Sequence, residues 1–321
     1  MYSPKTGFGV ILTLAQIWST ALPKDIIEAG EASGAIVFNP DNSSTFNSLD
    51  GYTWSIRYGD NSAASGIVGT DNVKIGSITV EAQPIELANE MSTQLQNQTS
   101  SCGLLGLAFG SINTVKPTPV KTPLENMILQ KDIPIEKSLF TCYLGSYKDA
   151  SDPDHGESFY TFGEIWEPAI PRGRQISYTP VNNSDGFWKF SAPSAVINGN
   201  TLGLGNNTAI ADTGTTLMMV SDQVCEELYG AIEGAYYSKS EMGWVFPRNV
   251  PTKTLPDFAV AVGTQTITIE KEHFGFAGIN GTELVYGGIQ SRGSLPFDIW
   301  GDVFLKGVYA VRDHRFTPAH Y

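Results

Sequence analysis

The chain has 321 residues, of which 41% are hydrophobic and 17% charged, and its formal net charge is −13. The length predicts two domains of about 150 residues each, and the composition argues against a disordered chain and against a multi-pass membrane protein. Such an acidic chain repels phosphate backbones, which argues against a nucleic-acid partner.

Strand patterns dominate the first half of the chain. Residues 53–58 alternate between polar and apolar side chains, meet a polar turn at 59–62 and return as a second run at 65–70, which predicts a β-hairpin. Pro123 opens a short apolar run and predicts a helix over 123–129. Further strands are predicted at 73–75, 77–81, 139–144, 159–162 and 176–180.

The second half is similarly rich in strands. Ser221 is a suitable helix cap, and Val224, Cys225 and Leu228 share one face of the run that follows. A helix is therefore predicted over 221–229, with Cys225 as a small core residue rather than a reactive thiol. Strands are predicted at 188–191, 209–211, 258–262, 265–269 and 307–311.

The apolar run at 8–15 has two interpretations. Lys5 precedes it, as in a short signal peptide, but no small-x-small cleavage site follows. The run is also too short to span a bilayer. We favour a buried strand.

Cysteine and histidine spacing gives no sign of a metal site. Cys102, Cys142 and Cys225 leave at least one thiol unpaired, and neither they nor the histidines show a zinc-ligand spacing. We therefore predict no metal and no cofactor. Asn-x-Ser/Thr sequons favour the secretory route, and they begin at Asn42, Asn97, Asn182, Asn206 and Asn280.

The run 210–217 carries the most informative chemistry. Ile210 and Ala211 lead to Asp212, a threonine and a glycine follow, and two more threonines complete the turn. A carboxylate at this place can accept hydrogen bonds from Gly214 N–H and from Thr215, which orient it. An isolated Asp-Thr-Gly also occurs in ordinary turns, so the surrounding sequence must show whether this one is a catalytic motif.

Five other motifs accompany this turn in a fixed order. They are Tyr58-Gly59-Asp60-Asn61-Ser62, the run 103–109, Gly186-Phe187-Trp188, Gly287-Gly288-Ile289-Gln290 and Gly301-Asp302-Val303-Phe304-Leu305. With Asp212-Thr213-Gly214, they make the chain similar to the pepsin-like aspartic proteases, most closely the fungal secreted acid proteinases. The resemblance extends from about Trp18 to Asp313.

The resemblance implies an all-β, bilobal fold with a few short helices, an N-terminal lobe over 1–170 and a C-terminal lobe over 171–321. In this family each lobe supplies one aspartate to a central cleft, and the two carboxylates share one proton. The ionised carboxylate activates a water, and the protonated one polarises the scissile carbonyl. The resemblance assigns the second-lobe aspartate to Asp212, the flap tyrosine to Tyr58, and peptide-backbone contacts to Gly59, Asp60, Gly214, Thr215 and Thr216.

The first-lobe Asp-Thr-Gly is missing. Asp212 precedes Gly301 by 301 − 212 = 89 residues, and the same step back from Gly106 gives 106 − 89 = 17. The family has a tryptophan seven residues after this aspartate, so Trp18 gives 18 − 7 = 11. Residues 11–17 contain no acid, and the first acidic residue is Asp25. We expect the start of the chain to be altered or truncated relative to the family.

Three functions remain open. The first is an aspartic-type endopeptidase that acts at acid pH and departs from the family at its N terminus. The second is a catalytically inactive homologue that binds peptides or inhibitors in the cleft. The third pairs two chains that each give one aspartate, as in retroviral enzymes, but the two lobes and the flap within this chain argue against it. Without its partner, Asp212 is expected to titrate near an ordinary aspartate and to support very little turnover.

The expected partner is an extended polypeptide substrate or a peptide-like inhibitor, with apolar side chains on either side of the cleaved bond. We expect a monomer with no membrane span and no nucleic-acid partner. The expected location is secreted, extracellular or vacuolar.

Overall fold

The computed structural model describes residues 15–18, 27, 37–59, 61–96, 103–146, 148 and 157–316. They form two compact units. The N-terminal unit holds the described residues up to Ser138 together with Asn183–Phe187, and the C-terminal unit holds those of Leu139–Asn182 and those from Trp188 onward. Strands dominate both units, which confirms the predicted all-β fold. The lobe boundary at residue 170 stays a prediction.

One sheet organises the N-terminal unit. The strands of this sheet are β1 (Ala15–Trp18), β2 (Asn47–Arg57), β3 (Ala63–Ile75), β4 (Ile78–Met91) and β5 (Gly103–Leu104). The unit also contains the helices α1 (Thr93–Gln96) and α2 (Pro123–Leu129). The strand order is β2-β3-β4-β1-β5. The antiparallel pairing of β2 with β3 confirms the predicted hairpin. Helix α2 begins at Pro123, as predicted, and Thr122 and Glu125 form a capping box.

The described residues of the C-terminal unit form four sheets. Their strands are β6 (Leu139–Tyr143), β7 (Phe159–Phe162), β8 (Val181–Asn182), β9 (Lys189–Ser191), β10 (Ser194–Ile197), β11 (Asn200–Gly203), β12 (Thr208–Ala211), β13 (Met218–Val220), β14 (Tyr236–Ser238), β15 (Gly243–Pro247), β16 (Phe258–Val262), β17 (Gln265–Thr268), β18 (Gly275–Gly278), β19 (Leu284–Gly287), β20 (Ile289–Ser291), β21 (Asp298–Trp300) and β22 (Tyr309–Asp313). The sheet orders are β20-β13-β21-β12-β9-β8, β11-β10-β16-β17, β14-β15-β19-β18 and β22-β6-β7. The helices are α3 (Asp222–Gly230) and α4 (Asp302–Leu305).

One predicted strand does not form, and another begins later than predicted. Residues 176–180 form no strand, so that prediction is wrong: the segment alternates, but its backbone has no ladder partner among the described residues. Strand β22 begins at Tyr309 rather than 307. The shift arises because Gly307 N donates to Phe304 O in the turn that ends α4. The apolar run at 8–15 lies outside the described residues except for Ala15, which begins β1.

Helix α3 confirms the predicted capping and packing. Ser221 accepts a hydrogen bond from Val224 N, and Val224, Cys225 and Leu228 lie in the core of the C-terminal unit. Cys225 is a free, fully buried cysteine, which confirms its structural role. No helix within the described part of the chain is long and apolar enough to cross a membrane.

Candidate active site

Strand β12 carries Asp212 to the end of a buried ladder. It pairs in parallel with β21 and antiparallel with β9. The ladder extends one residue further, because Asp212 N donates to Trp300 O at 3.0 Å. The Trp300 ring is buried against Phe190 and Phe304, with ring centroids 5.4 and 4.8 Å away. This packing fixes the point at which the chain leaves the sheet.

The turn after β12 orients the Asp212 carboxylate. Its Oδ1 accepts a hydrogen bond from Gly214 N at 2.9 Å, and its Oδ2 accepts one from Thr215 Oγ1 at 2.5 Å. Both predicted hydrogen bonds are confirmed. Asp212 is 3% exposed and Thr215 2% exposed, so the carboxylate is held in one orientation within a largely dry setting.

A second loop supports the turn from the start of α4. Asp302 N donates to Thr215 O at 2.8 Å, and Gly301 N donates to Leu217 O at 3.1 Å. The two backbones approach so closely that a Cβ on Gly301 would lie 1.9 Å from Thr215 O. Only glycine fits at this contact, which accounts for the apolar-apolar-Gly motif.

Burial changes the acidity of Asp212. Desolvation raises its pKa above the usual value, and the hydrogen bonds from Thr215 and Gly214 and the positive charge of Arg312 oppose that rise. The expectation that Asp212 would titrate as an ordinary aspartate is therefore wrong. The reason is the nearly complete removal of its side chain from water, which a sequence pattern does not report.

Asp302 is a second perturbed acid in this unit. Burial raises its pKa to about 6, the charge of Asp212 adds to the rise, and Lys306 and His273 oppose it. In the sequence, Asp302 was identified only as part of a motif. The sequence feature that could have indicated its burial is an acidic residue placed directly between Gly301 and the apolar residues of α4.

Arg312 is a further residue that the sequence analysis missed. It is 7% exposed, and its Nη2 donates to Ala211 O at 3.0 Å, one residue before Asp212. A cation inside the otherwise apolar start of β22 was the signal that could have indicated it.

The predicted flap lies at the tip of the β2–β3 hairpin. Tyr58 N donates to Ser62 O at 2.8 Å, and Asn61 N donates to Tyr58 O at 3.0 Å. Asn61 has a φ of 66°, a left-handed conformation that asparagine tolerates better than most residues. Asparagine can therefore occupy this tight turn in place of a glycine. The Tyr58 side chain is buried in a cluster that includes Trp54.

The predicted site residues fall in both units. Asp212, Gly214, Thr215 and Thr216 lie in one turn of the C-terminal unit, Tyr58 and Gly59 lie in the hairpin of the N-terminal unit, and Asp60 lies outside the described residues. Their contacts with a peptide stay predictions. Within the described ranges, no group of three or more potential metal ligands occurs.

The two units share part of their strand pattern. Strand β13 pairs in parallel with β20 and antiparallel with β21. Strand β1 pairs in parallel with β4 and antiparallel with β5 in the same way. The chain positions that would correspond to β12 precede β1 and lie outside the described residues.

Comparisons with known proteins agree with this geometry. Residues 16–317 match the sequence profile of the family described as eukaryotic aspartyl protease. The chain is 39% identical over 285 residues to aspergillopepsin-1 of Aspergillus pseudoglaucus, covering 89% of this chain and 68% of that protein. It is 39% identical over 273 residues to penicillopepsin-1 of Talaromyces stipitatus, covering 85% and 65%. It is 36% identical over 291 residues to endothiapepsin of Cryphonectria parasitica, covering 90% and 65%.

The profile spans both units and includes the Asp212 turn. The order of the motifs, the strand pattern and these relatives lead to one conclusion: the chain belongs to the eukaryotic aspartyl protease family.

Proposed function

We propose that this chain binds extended polypeptides as an aspartic endopeptidase does, but has only Asp212 as a catalytic carboxylate and hydrolyses peptide bonds poorly or not at all. One observation carries the proposal: the single Asp-Thr-Gly of the chain is at Asp212, and residues 1–24 contain no acid. The ordered Asp212 turn supports retained binding, because it needs no second lobe to form.

The strand register gives a further alignment, which also places no acidic residue at the position that corresponds to Asp212. Met219 pairs with Ile299 in the C-terminal unit, and Gln16 pairs with Leu104 in the N-terminal unit. If Leu104 corresponds to Ile299, as their shared motif indicates, Gln16 corresponds to Met219. Asp212 is 219 − 212 = 7 residues earlier, and 16 − 7 = 9 is a glycine. All three alignments, at residues 9, 11 and 17, give a residue that cannot titrate.

The chemical consequence follows from the shared proton. A single carboxylate can accept a proton from a water, but no second acid is then present to polarise the scissile carbonyl. General acid–base assistance contributes about 10²–10⁴-fold to a rate. Loss of one member of a catalytic pair commonly removes most of the activity of the pair.

A competent endopeptidase is the second candidate. The intact Asp212 turn favours it, as do relatives named for peptidases at 36% to 39% identity. This alternative requires a second carboxylate at the Asp212 site, which the sequence before Trp18 does not provide.

Binding of a pepstatin-like peptide inhibitor tests retained recognition. We expect the wild-type chain to bind it at about pH 4 and Asp212→Asn to bind it at least about tenfold more weakly, because an amide does not reproduce the hydrogen bonds of the carboxyl group. Titration calorimetry measures both affinities, and circular dichroism shows that each protein is folded. A folded wild-type chain that binds no peptide-like ligand would contradict the proposal.

The location, the oligomeric state and the glycosylation of the protein are part of the same proposal. We infer a secreted, monomeric glycoprotein, extracellular or vacuolar, that acts on polypeptides with apolar side chains near the site. Four sequon asparagines lie in described residues, and all are exposed: Asn42, Asn182, Asn206 and Asn280. A loss of mass on treatment with an N-glycosidase, after expression in a fungal host, tests the glycosylation.

A further inference from the structure

Arg312 is a buried cation on a sheet face whose other side chains are neutral. It lies on β22 opposite Phe140 of β6, and its guanidinium carbon is 5.5 Å from the centroid of the Phe140 ring. Only 7% of Arg312 is exposed. Burial of a charge is costly unless another group compensates for it, so the position of this side chain requires a compensating partner.

The contacts of the guanidinium point to the Asp212 turn. Nη2 donates to Ala211 O at 3.0 Å, which is the carbonyl that immediately precedes Asp212. Nη1 is buried and has no hydrogen-bond partner among the described residues, so the hydrogen bond to Ala211 O does not compensate for the whole group. The charge of Arg312 acts on the Asp212 carboxylate and favours its ionised form.

The same sheet face also contacts the residue after Asp212. Tyr160 of β7 interacts with Thr213 and with Cys142 of β6, and Cys142 interacts in turn with Arg312. The two chain neighbours of Asp212 are therefore both contacted by a polar cluster of Arg312, Cys142 and Tyr160. We call this the β22-β6-β7 cluster.

We propose that Arg312 is a positioning residue of the Asp212 site, whose bond to Ala211 O fixes the turn and whose buried charge favours the ionised carboxylate against the effect of burial. In a site with two aspartates, the shared proton compensates for part of the negative charge of the two carboxylates. In this chain, Arg312 supplies part of that charge compensation for Asp212. This inference rests on the proposed function, which assigns a role to the Asp212 site. The experiment that tests it requires no ligand.

Other charged groups face this site and must be controlled. Asp302 interacts electrostatically with Asp212, and Lys306 and His273 act on Asp302. Within the cluster, burial raises the pKa of the Cys142 thiol and the Tyr160 hydroxyl, so both stay neutral in acid. The experiment is therefore done in an Asp302→Asn background, which removes the acid coupled to Asp212.

The test is a pH titration of the Asp212 carboxyl carbon by NMR in protein labelled at aspartate. The resonance that is absent from Asp212→Asn identifies the group. We expect the Asp212 carboxylate of Arg312→Gln to bind its proton about three- to tenfold more tightly, a rise of about 0.5–1 pH unit in the midpoint, because the charge of Arg312 favours the ionised form. Glutamine retains a donor for Ala211 O.

Matched variants separate charge from structure. Arg312→Lys keeps the charge and should keep the midpoint close to its original value. Arg248 is an exposed cation of the same unit, and Arg248→Met makes the same change in net charge without an expected effect. If Arg312→Gln does not fold, Arg312→Met replaces it, because buried charges often tolerate an apolar residue of similar size. An unchanged midpoint in a folded Arg312 variant, or an equal rise in Arg248→Met, would overturn the proposal.

Discussion

We expect Gly301→Ala to destabilise the C-terminal unit by about 3 kcal/mol or more and to abolish binding of peptide-like ligands. The added Cβ would lie 1.9 Å from Thr215 O and 2.6 Å from Leu217 O. Both atoms belong to the backbone, so neither can rotate away as the end of a flexible side chain would. The turn must shift, and the hydrogen bond between Thr215 and Asp212 is then lost.

Gly203→Ala is the matched control for this substitution. Gly203 ends β11, and a Cβ there would meet no atom within 4 Å. Its effect on the free energy of unfolding should stay within about 0.5 kcal/mol. Urea unfolding followed by tryptophan fluorescence compares the variants with the wild type. Equal stability of the two variants, with ligand binding retained in both, would show that the close approach at Gly301 does not support the site.

Asp302→Asn should change how stability depends on pH. The folded pKa of Asp302 is about 6, against about 4 for an unfolded aspartate. The folded state therefore binds this proton more tightly, and the resulting stabilisation is complete below about pH 4 and is lost as the pH rises through about 6. The loss for the wild-type chain is about 3 kcal/mol. Asparagine mimics the protonated acid and removes that loss.

The measurement is the free energy of unfolding at pH 3.5 and at pH 7.5 for both proteins. The variant should equal the wild type at the lower pH and exceed it in stability by about 3 kcal/mol at the higher pH. Asp50→Asn, at an exposed position of the other unit, controls for the loss of one surface carboxylate. A difference between Asp302→Asn and the wild type that is the same at both pH values would contradict the account.

Local patterns predicted the parts of the fold that local chemistry determines. The hairpin of β2 and β3 follows from alternation around a polar turn, and α3 follows from the Ser221 cap and its apolar face. The Asp212 turn was predicted down to its two hydrogen bonds, because the donors lie two and three residues away in the chain.

The features that the sequence analysis missed depend on distant parts of the chain. Residues 176–180 alternate like a strand, but a strand also requires a neighbour with which to pair. The raised pKa of Asp212 comes from burial by residues far away in sequence, and Arg312 reaches Ala211 across 101 positions. Single-chain patterns contain no record of such contacts.

The most direct test of the central claim is peptide hydrolysis by this chain. The wild-type protein and Asp212→Asn are incubated with a pool of quenched fluorescent peptides between pH 3 and 5, after binding measurements have shown that the wild-type site is intact. With one catalytic carboxylate, the two proteins should show the same negligible rate. Turnover by the wild type that disappears in Asp212→Asn would contradict the claim, and would mean that another carboxylate completes the site.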